Sequence, residues 1–139
     1  NDLTVSGTFS GTAVTRDYLP FGYNGSFVAN TSGTIMKTVD GSTNGHGYVI
    51  PRSGTITAIS ASAINTLTSS VKATFTVLLN RANQASANVQ LDAAVISNSE
   101  VLGSPVSFSA GDTIDTQVAI VGYAAGTLSN IALLVEVTT

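Results

Sequence analysis

The chain has 139 residues, room for one domain with a sizeable core, and it carries a net charge of −3, one histidine and no cysteine. The missing cysteines exclude disulfides and thiolate metal sites, and the single histidine excludes every two-histidine metal site. Five Lys and Arg against eight acids leave no basic footprint for nucleic acid, and no apolar run reaches membrane-spanning length.

Charged residues make up only 9% of the chain, so its polar surface must come from short side chains, chiefly 19 Thr and 17 Ser. Such groups lose little entropy when covered, which suits close packing against neighbours. Along the chain, "LTVSGTF" (3–9) alternates apolar and polar residues and reads as a short strand or an extended arm. "DYLPFGYNGSF" (17–27) gathers Tyr18, Phe21, Tyr23 and Phe27. Pro20 and the Asn24-Gly25 pair mark turns there and predict an irregular aromatic loop. "GTIMKTV" (33–39) is a possible strand, and "DGSTNGHG" (40–47) a loop. Residues 1–46 are thus expected to form an N-terminal arm and aromatic loop region, with a β-domain at 47–139. Deleting residues 1–27 is expected to leave that domain folded, because the period-2 pattern lies beyond them.

From Tyr48 onward that pattern is strong. "GTITAISASA" has apolar residues on both faces and is expected to be buried on both sides. "SVKATFTVLLN" sends Val71, Ala73, Phe75, Val77 and Leu79 to one face. "ANVQLDAAVI" does so with Val89, Leu91, Ala93 and Val95, and "TIDTQVAIVGY" with Ile114, Val118 and Ile120. "NIALLVEVTT" closes the series with Ile131, Leu133, Val135 and Val137. "NRANQASANV" reads as a long loop. Strands of this kind, separated by turn residues, predict an all-β fold: an antiparallel β-sandwich or jelly roll.

Catalytic chemistry finds little to stand on. His46 has Asp40 as its nearest acid in sequence, within one glycine-rich loop, and no G-x-S-x-G elbow accompanies it. Asp40, Ser42, Asn44 and Gly45 imitate the first half of a calcium loop, but its twelfth position is Pro51 where a bidentate glutamate is required. Asp92 and Asp115 are placed on outward, solvated strand positions, and Asp112, Glu100 and Glu136 are scattered. No catalytic residue, metal ligand or cofactor is therefore expected. Tyr18, Phe21, Tyr23 and Phe27 remain as candidate partner-binding residues, able to anchor an interface, stack on a sugar or pack on their own core. Asn24-Gly-Ser26 and Asn30-Thr-Ser32 match the glycosylation acceptor pattern, which a sequence rich in serine and threonine produces by chance.

One stretch is more specific. Pro51, Arg52, Gly54, Thr55, Ile56 and Thr57 in "YVIPRSGTITAISASA" precede "SSVKATFTVLLNRA" and then Ala110, Gly111 and Asp112 in "PVSFSAGDTI". Together they resemble the C-terminal domain of collagen-like exosporium glycoproteins of spore-forming bacteria, whose domains are similar to tumour-necrosis-factor-type jelly rolls. The resemblance covers about residues 45 to 139. It implies a trimer formed about flat inner sheets. The front of the chain, "NDLTVSGTFSGTAVTRDYLP", instead resembles arm sequences of phage fibre and head-decoration proteins. These likenesses imply a non-enzymatic virion structural protein: a trimeric capsid decoration (cement) or fibre module of a bacteriophage, sited on the virion surface. Its partners would be its own copies and the major capsid or other virion proteins. The alternatives are a glycan-binding fibre-tip or lectin-like module and a structural domain of the spore surface.

Overall fold

Small and β-branched residues in alternation build nine strands among the residues that the computed structural model describes, which are 15–28, 30–38, 47–68, 71–122 and 125–139. They are β1 (Arg16–Phe27), β2 (Thr31–Ile35), β3 (Tyr48–Val49), β4 (Gly54–Asn65), β5 (Lys72–Leu79), β6 (Ala82–Asp92), β7 (Ser97–Phe108), β8 (Thr113–Val121) and β9 (Leu128–Thr138). The sequence readings of the 3–9 arm, of His46 and of the calcium-like loop at Asp40, Ser42, Asn44 and Gly45 fall outside the described residues.

The strands form an antiparallel β-sandwich. One sheet has the order β1-β9-β4-β7 and the other β2-β8-β5-β6, with β3 paired to β8. Apart from β2–β3 and the β5–β6 hairpin, consecutive strands belong to opposite sheets, so the chain winds back and forth around one core. That core holds Ile56, Ile59, Phe75, Leu91, Ile114, Ile120, Leu128 and Leu133, all but closed to solvent. The expected faces of β5, β8 and β9 are the faces found inside, apart from Leu79, which is only partly buried against the core.

Four readings need correction. The aromatic segment is a strand, not a loop: β1 runs through Pro20 and pairs with β9 from Arg16↔Thr138 to Phe27↔Leu128. Because β1 lies at a sheet edge, one of its sides needs no ladder, and a proline without an N–H is tolerated there. Asn24-Gly25 makes a β-bulge opposite β9 and not a turn. Second, β4 is buried on one face only. A bulge at Thr57–Ala58 resets its phase, so that Ile56 and Ile59, three apart, both reach the core. Third, "NRANQASANV" is a hairpin. Asn80 and Arg81 both take positive φ (50° and 69°) in a two-residue turn between Leu79 and Ala82, the backbone a right-twisted hairpin requires. Asn80 holds that turn by accepting the Thr113 N–H at 2.9 Å and donating to Asp112 at 2.8 Å. Strand β6 then ends at Asp92, so Ala93 and Val95 lie in the following turn and not on the core face.

Fourth, Asp115 is buried, not solvated. It lies opposite Leu78, and its Oδ1 accepts the Thr116 N–H at 2.8 Å. Asp92, by contrast, is exposed and paired with Lys72 at 3.3 Å. Buried Asn65 is fully used. Its amide donates to the Asp92 and Val95 carbonyls, both at 2.8 Å, and its oxygen accepts the Leu67 N–H at 3.1 Å, which fixes the β6–β7 turn.

The neighbouring Thr116 is the exception. Its side chain faces the core across from Val77, and its Oγ1 finds no hydrogen-bond partner among the described residues. Thr116→Val keeps the shape and removes an unsatisfied hydroxyl, so it is expected to stabilise the protein by about 1 kcal/mol. Chemical denaturation of the two proteins measures this, and a loss of stability would mean the hydroxyl is bonded after all.

Candidate functional site

The two motif pieces from the sequence meet in space. Ile50 donates its N–H to the Asp112 carbonyl at 3.0 Å, Gly111 returns one to Ile50 at 2.8 Å, and Ala110 N–H reaches the Ser53 hydroxyl at 3.2 Å. They form the turn at the mouth of β4 and carry no reactive group. Gly54 is needed for close approach, since a Cβ there would strike the Thr138 carbonyl oxygen. Among the described residues no three His, Cys, Asp or Glu side chains converge as a metal site.

The arrangement worth attention is a surface. Antiparallel register brings three rows across the outer face of the β1-β9-β4-β7 sheet: Tyr18–Glu136–Ala58–Val101, Pro20–Leu134–Ser60–Ser99 and Gly22–Ala132–Ser62–Ser97. Val101, Tyr18 and Leu134 are 79%, 57% and 44% exposed, and Ile64 extends the apolar series along β4. Beside them the small side chains Ser60, Ser62, Ser97, Ser99 and Ala132 leave a shallow trough of about 560 Å³. Large apolar groups next to a floor of small ones make a surface that a complementary one can enter.

Glu136 is the one carboxylate in these rows, and its own chain satisfies it. Thr57, pushed outward by the β4 bulge, donates to Oε1 at 2.7 Å, and the Tyr18 hydroxyl donates to Oε2 at 3.1 Å. Arg16 stands 3.8 Å away, and the Glu136 side chain keeps only 15% exposure. The Thr57 hydrogen bond, helped by Tyr18 and Arg16 and opposed by desolvation, holds the Glu136 carboxyl below its ordinary range. In the β7–β8 turn, the Asn80 amide and the Ser109 N–H do the same for Asp112.

Both groups have a lower pKa folded than unfolded, so in acid the unfolded chain binds more protons and stability rises with pH. Their contribution is complete above the ordinary carboxylate range and is lost as pH falls through the lowered folded values. Melting temperature at one protein concentration is therefore expected to fall on acidification through and below that range. Glu136→Gln should flatten part of the fall, and an unchanged acid limb would show that Glu136 is not coupled to folding.

The outer face of the other sheet is different in kind. Lys72 pairs with Asp92, Gln90 donates to Thr74 at 3.3 Å, and Gln117 donates to Asn83 at 2.9 Å. Those groups are occupied with one another, and Val121, opposite Lys72, is an exposed apolar side chain set among them.

Of the four aromatic candidates, the structure puts only Tyr18 on this outer face of the β1-β9-β4-β7 sheet. Phe21 is buried in the core, edge-on to Tyr48 with centroids 5.1 Å apart, and the Tyr48 hydroxyl donates to the Pro20 carbonyl at 2.8 Å. Phe27 is buried and stacks at 4.4 Å on the partly buried Tyr23, whose ring lies 5.6 Å from the Lys37 ammonium. Val101, Leu134, Ile64 and Glu136 escaped the sequence reading as site residues. Leu133-Leu134 did hold a signal, because two adjacent leucines in an alternating strand must send one side chain outward. The chain matches no family model and no curated protein.

Proposed function

We propose that the protein is a non-enzymatic structural module, a jelly roll whose copies associate as a homotrimer through the outer face of the β1-β9-β4-β7 sheet. The observation that carries this reading is the contrast between the two outer faces. One holds exposed Val101, Leu134, Tyr18 and Ile64 above a floor of serine and alanine, and the other is laced with amides and an ion pair. Burial of apolar surface drives association, and Glu136, the carboxylate in the three rows, is already bonded within its own chain. The winding of the chain between the two sheets supports the jelly-roll reading.

The setting that best fits is the surface of a bacteriophage particle, as a decoration or fibre module in contact with capsid or other virion proteins. A low-charge surface rich in threonine and serine suits a tile in an assembly. Sedimentation equilibrium at micromolar concentration tests the central element. A trimer mass is expected, and a stable monomer would remove the reading. Binding of the purified protein to undecorated phage heads tests the setting.

A further inference from the structure

We propose that the Asn24–Gly25 step, in the bulge of β1, is a site of self-catalysed deamidation that turns Asn24 into a mixture of aspartate and isoaspartate. Three observations single it out. The Asn24 side chain is exposed, and its amide makes no hydrogen bond among the described residues. By contrast Asn30, Asn65, Asn80, Asn83, Asn88 and Asn98 are each held by at least one. Next, the residue that follows is glycine, which carries no side chain of its own to hinder attack by its nitrogen. Glycine also fits the space there, because a Cβ on Gly25 would displace the Tyr23 ring. Finally, the register passes from Tyr23↔Ile131 to Ser26↔Ser129, so neither Asn24 nor Gly25 has a partner residue in the ladder. The remaining described asparagine, Asn130, also lacks a side-chain bond, but it precedes the buried, β-branched Ile131.

The chemistry needs only water. The Gly25 nitrogen, losing its proton to solvent, attacks Asn24 Cγ. A C–N bond forms, the Cγ–Nδ2 bond breaks, and ammonia leaves with a proton from solvent. Water then opens the five-membered imide at either carbonyl, giving an aspartyl or an isoaspartyl residue. The net change is amide plus water to carboxylic acid plus ammonia. The new carboxylate appears on the rim of a hollow of about 360 Å³ that Asn24 shares with Lys37, so it gains a cation nearby. The isoaspartyl form also lengthens the main chain of β1 by one carbon. The site is a one-way mark of age on an edge strand.

The full chain is incubated in mildly alkaline buffer, folded and in denaturant, and then digested with trypsin. Cleavage after Arg16 and Lys37 releases residues 17–37, which contain Asn24 and Asn30. Fragmentation locates the amide-to-acid mass gain, and isoaspartyl methyltransferase labels the rearranged product. Asn24 is expected to convert before every other described asparagine, into both products, at a folded rate within about tenfold of the denatured rate, a barrier difference of about 1.4 kcal/mol. Asn24→Gln, which cyclises poorly and leaves Gly25 in place, should keep the fold and abolish the gain in that peptide. A folded rate slower by more than this, or conversion that begins at Asn30 or any other described asparagine, overturns the proposal.

Discussion

Deletion of residues 1–27 is expected to abolish cooperative folding. The deleted stretch contains all of β1, the strand that covers the open side of β9. Phe21 and Phe27 are 4% and 8% exposed, and Leu19 and Tyr23 pack against the same core. At roughly 1.5–3 kcal/mol for each large apolar side chain buried, the two phenylalanines alone contribute about 3–6 kcal/mol. A domain of this size has only about 5–15 kcal/mol in total. The deletion also removes the acceptor of the Tyr48 hydroxyl and a donor to Glu136, and it leaves Leu133 and Val135 with an unpaired backbone edge. Loss of the sharp thermal transition, followed by near-ultraviolet circular dichroism, is the expected readout. A truncated chain that still melts cooperatively within a few degrees of the parent would make β1 a dispensable arm.

Leu134→Glu is expected to convert the proposed trimer to monomers without harming the fold. In the isolated chain Leu134 is exposed on the outer face, so the change should cost no more than about 0.5 kcal/mol. In a closed assembly the same substitution places an unpaired carboxylate in the covered centre of every contact. Removing such a charge from water costs several kcal/mol, and 4 kcal/mol is already about a thousandfold in affinity. Gln90→Glu on the opposite outer face is the control and should leave the mass unchanged. If Leu134→Glu leaves the assembly intact, the contact lies elsewhere. If it lowers the monomer's melting point steeply, Leu134 belongs to the fold.

What could be read from the residues follows from how each strand is covered. Strands β5, β8 and β9 lie inside their sheets with one face on the core, so their side chains alternate plainly and their inner faces could be named in advance. Strand β7 could not. It is an edge strand, and "SNSEVLGSPVSF" lacks alternation because Leu102–Pro105 bulge away opposite the single residue Thr57, leaving Leu102 and Phe108 as its buried side chains. The same holds for the first half of β6, "ANQASA", an edge segment held in place by the hairpin turn at Asn80 and Arg81. Pro20 and Asn24-Gly25 carry true turn preferences, which an edge and a bulge accommodated. Burial of Asp115 is a tertiary effect that no local pattern announces. The candidate face was half visible. Tyr18 was singled out for its ring and Leu134 could be inferred from its neighbour, but Val101 depends on a strand that the pattern hides.

The last feature is mechanical. Thr15 and Thr139 exchange N–H···O bonds at 3.3 and 3.2 Å, and their hydroxyls meet at 2.9 Å. Because β1 and β9 run antiparallel from that clasp, tension applied between Thr15 and Thr139 would open the ladder rung by rung, from Asp17–Val137 inward. Each rung resists alone, with only about 1 kcal/mol of net hydrogen bonding behind it. A pull through these two points peels the molecule like a zipper. A push across the sheets instead meets the whole packed core at once. The fold is weak as a link in a chain and strong as a block under compression.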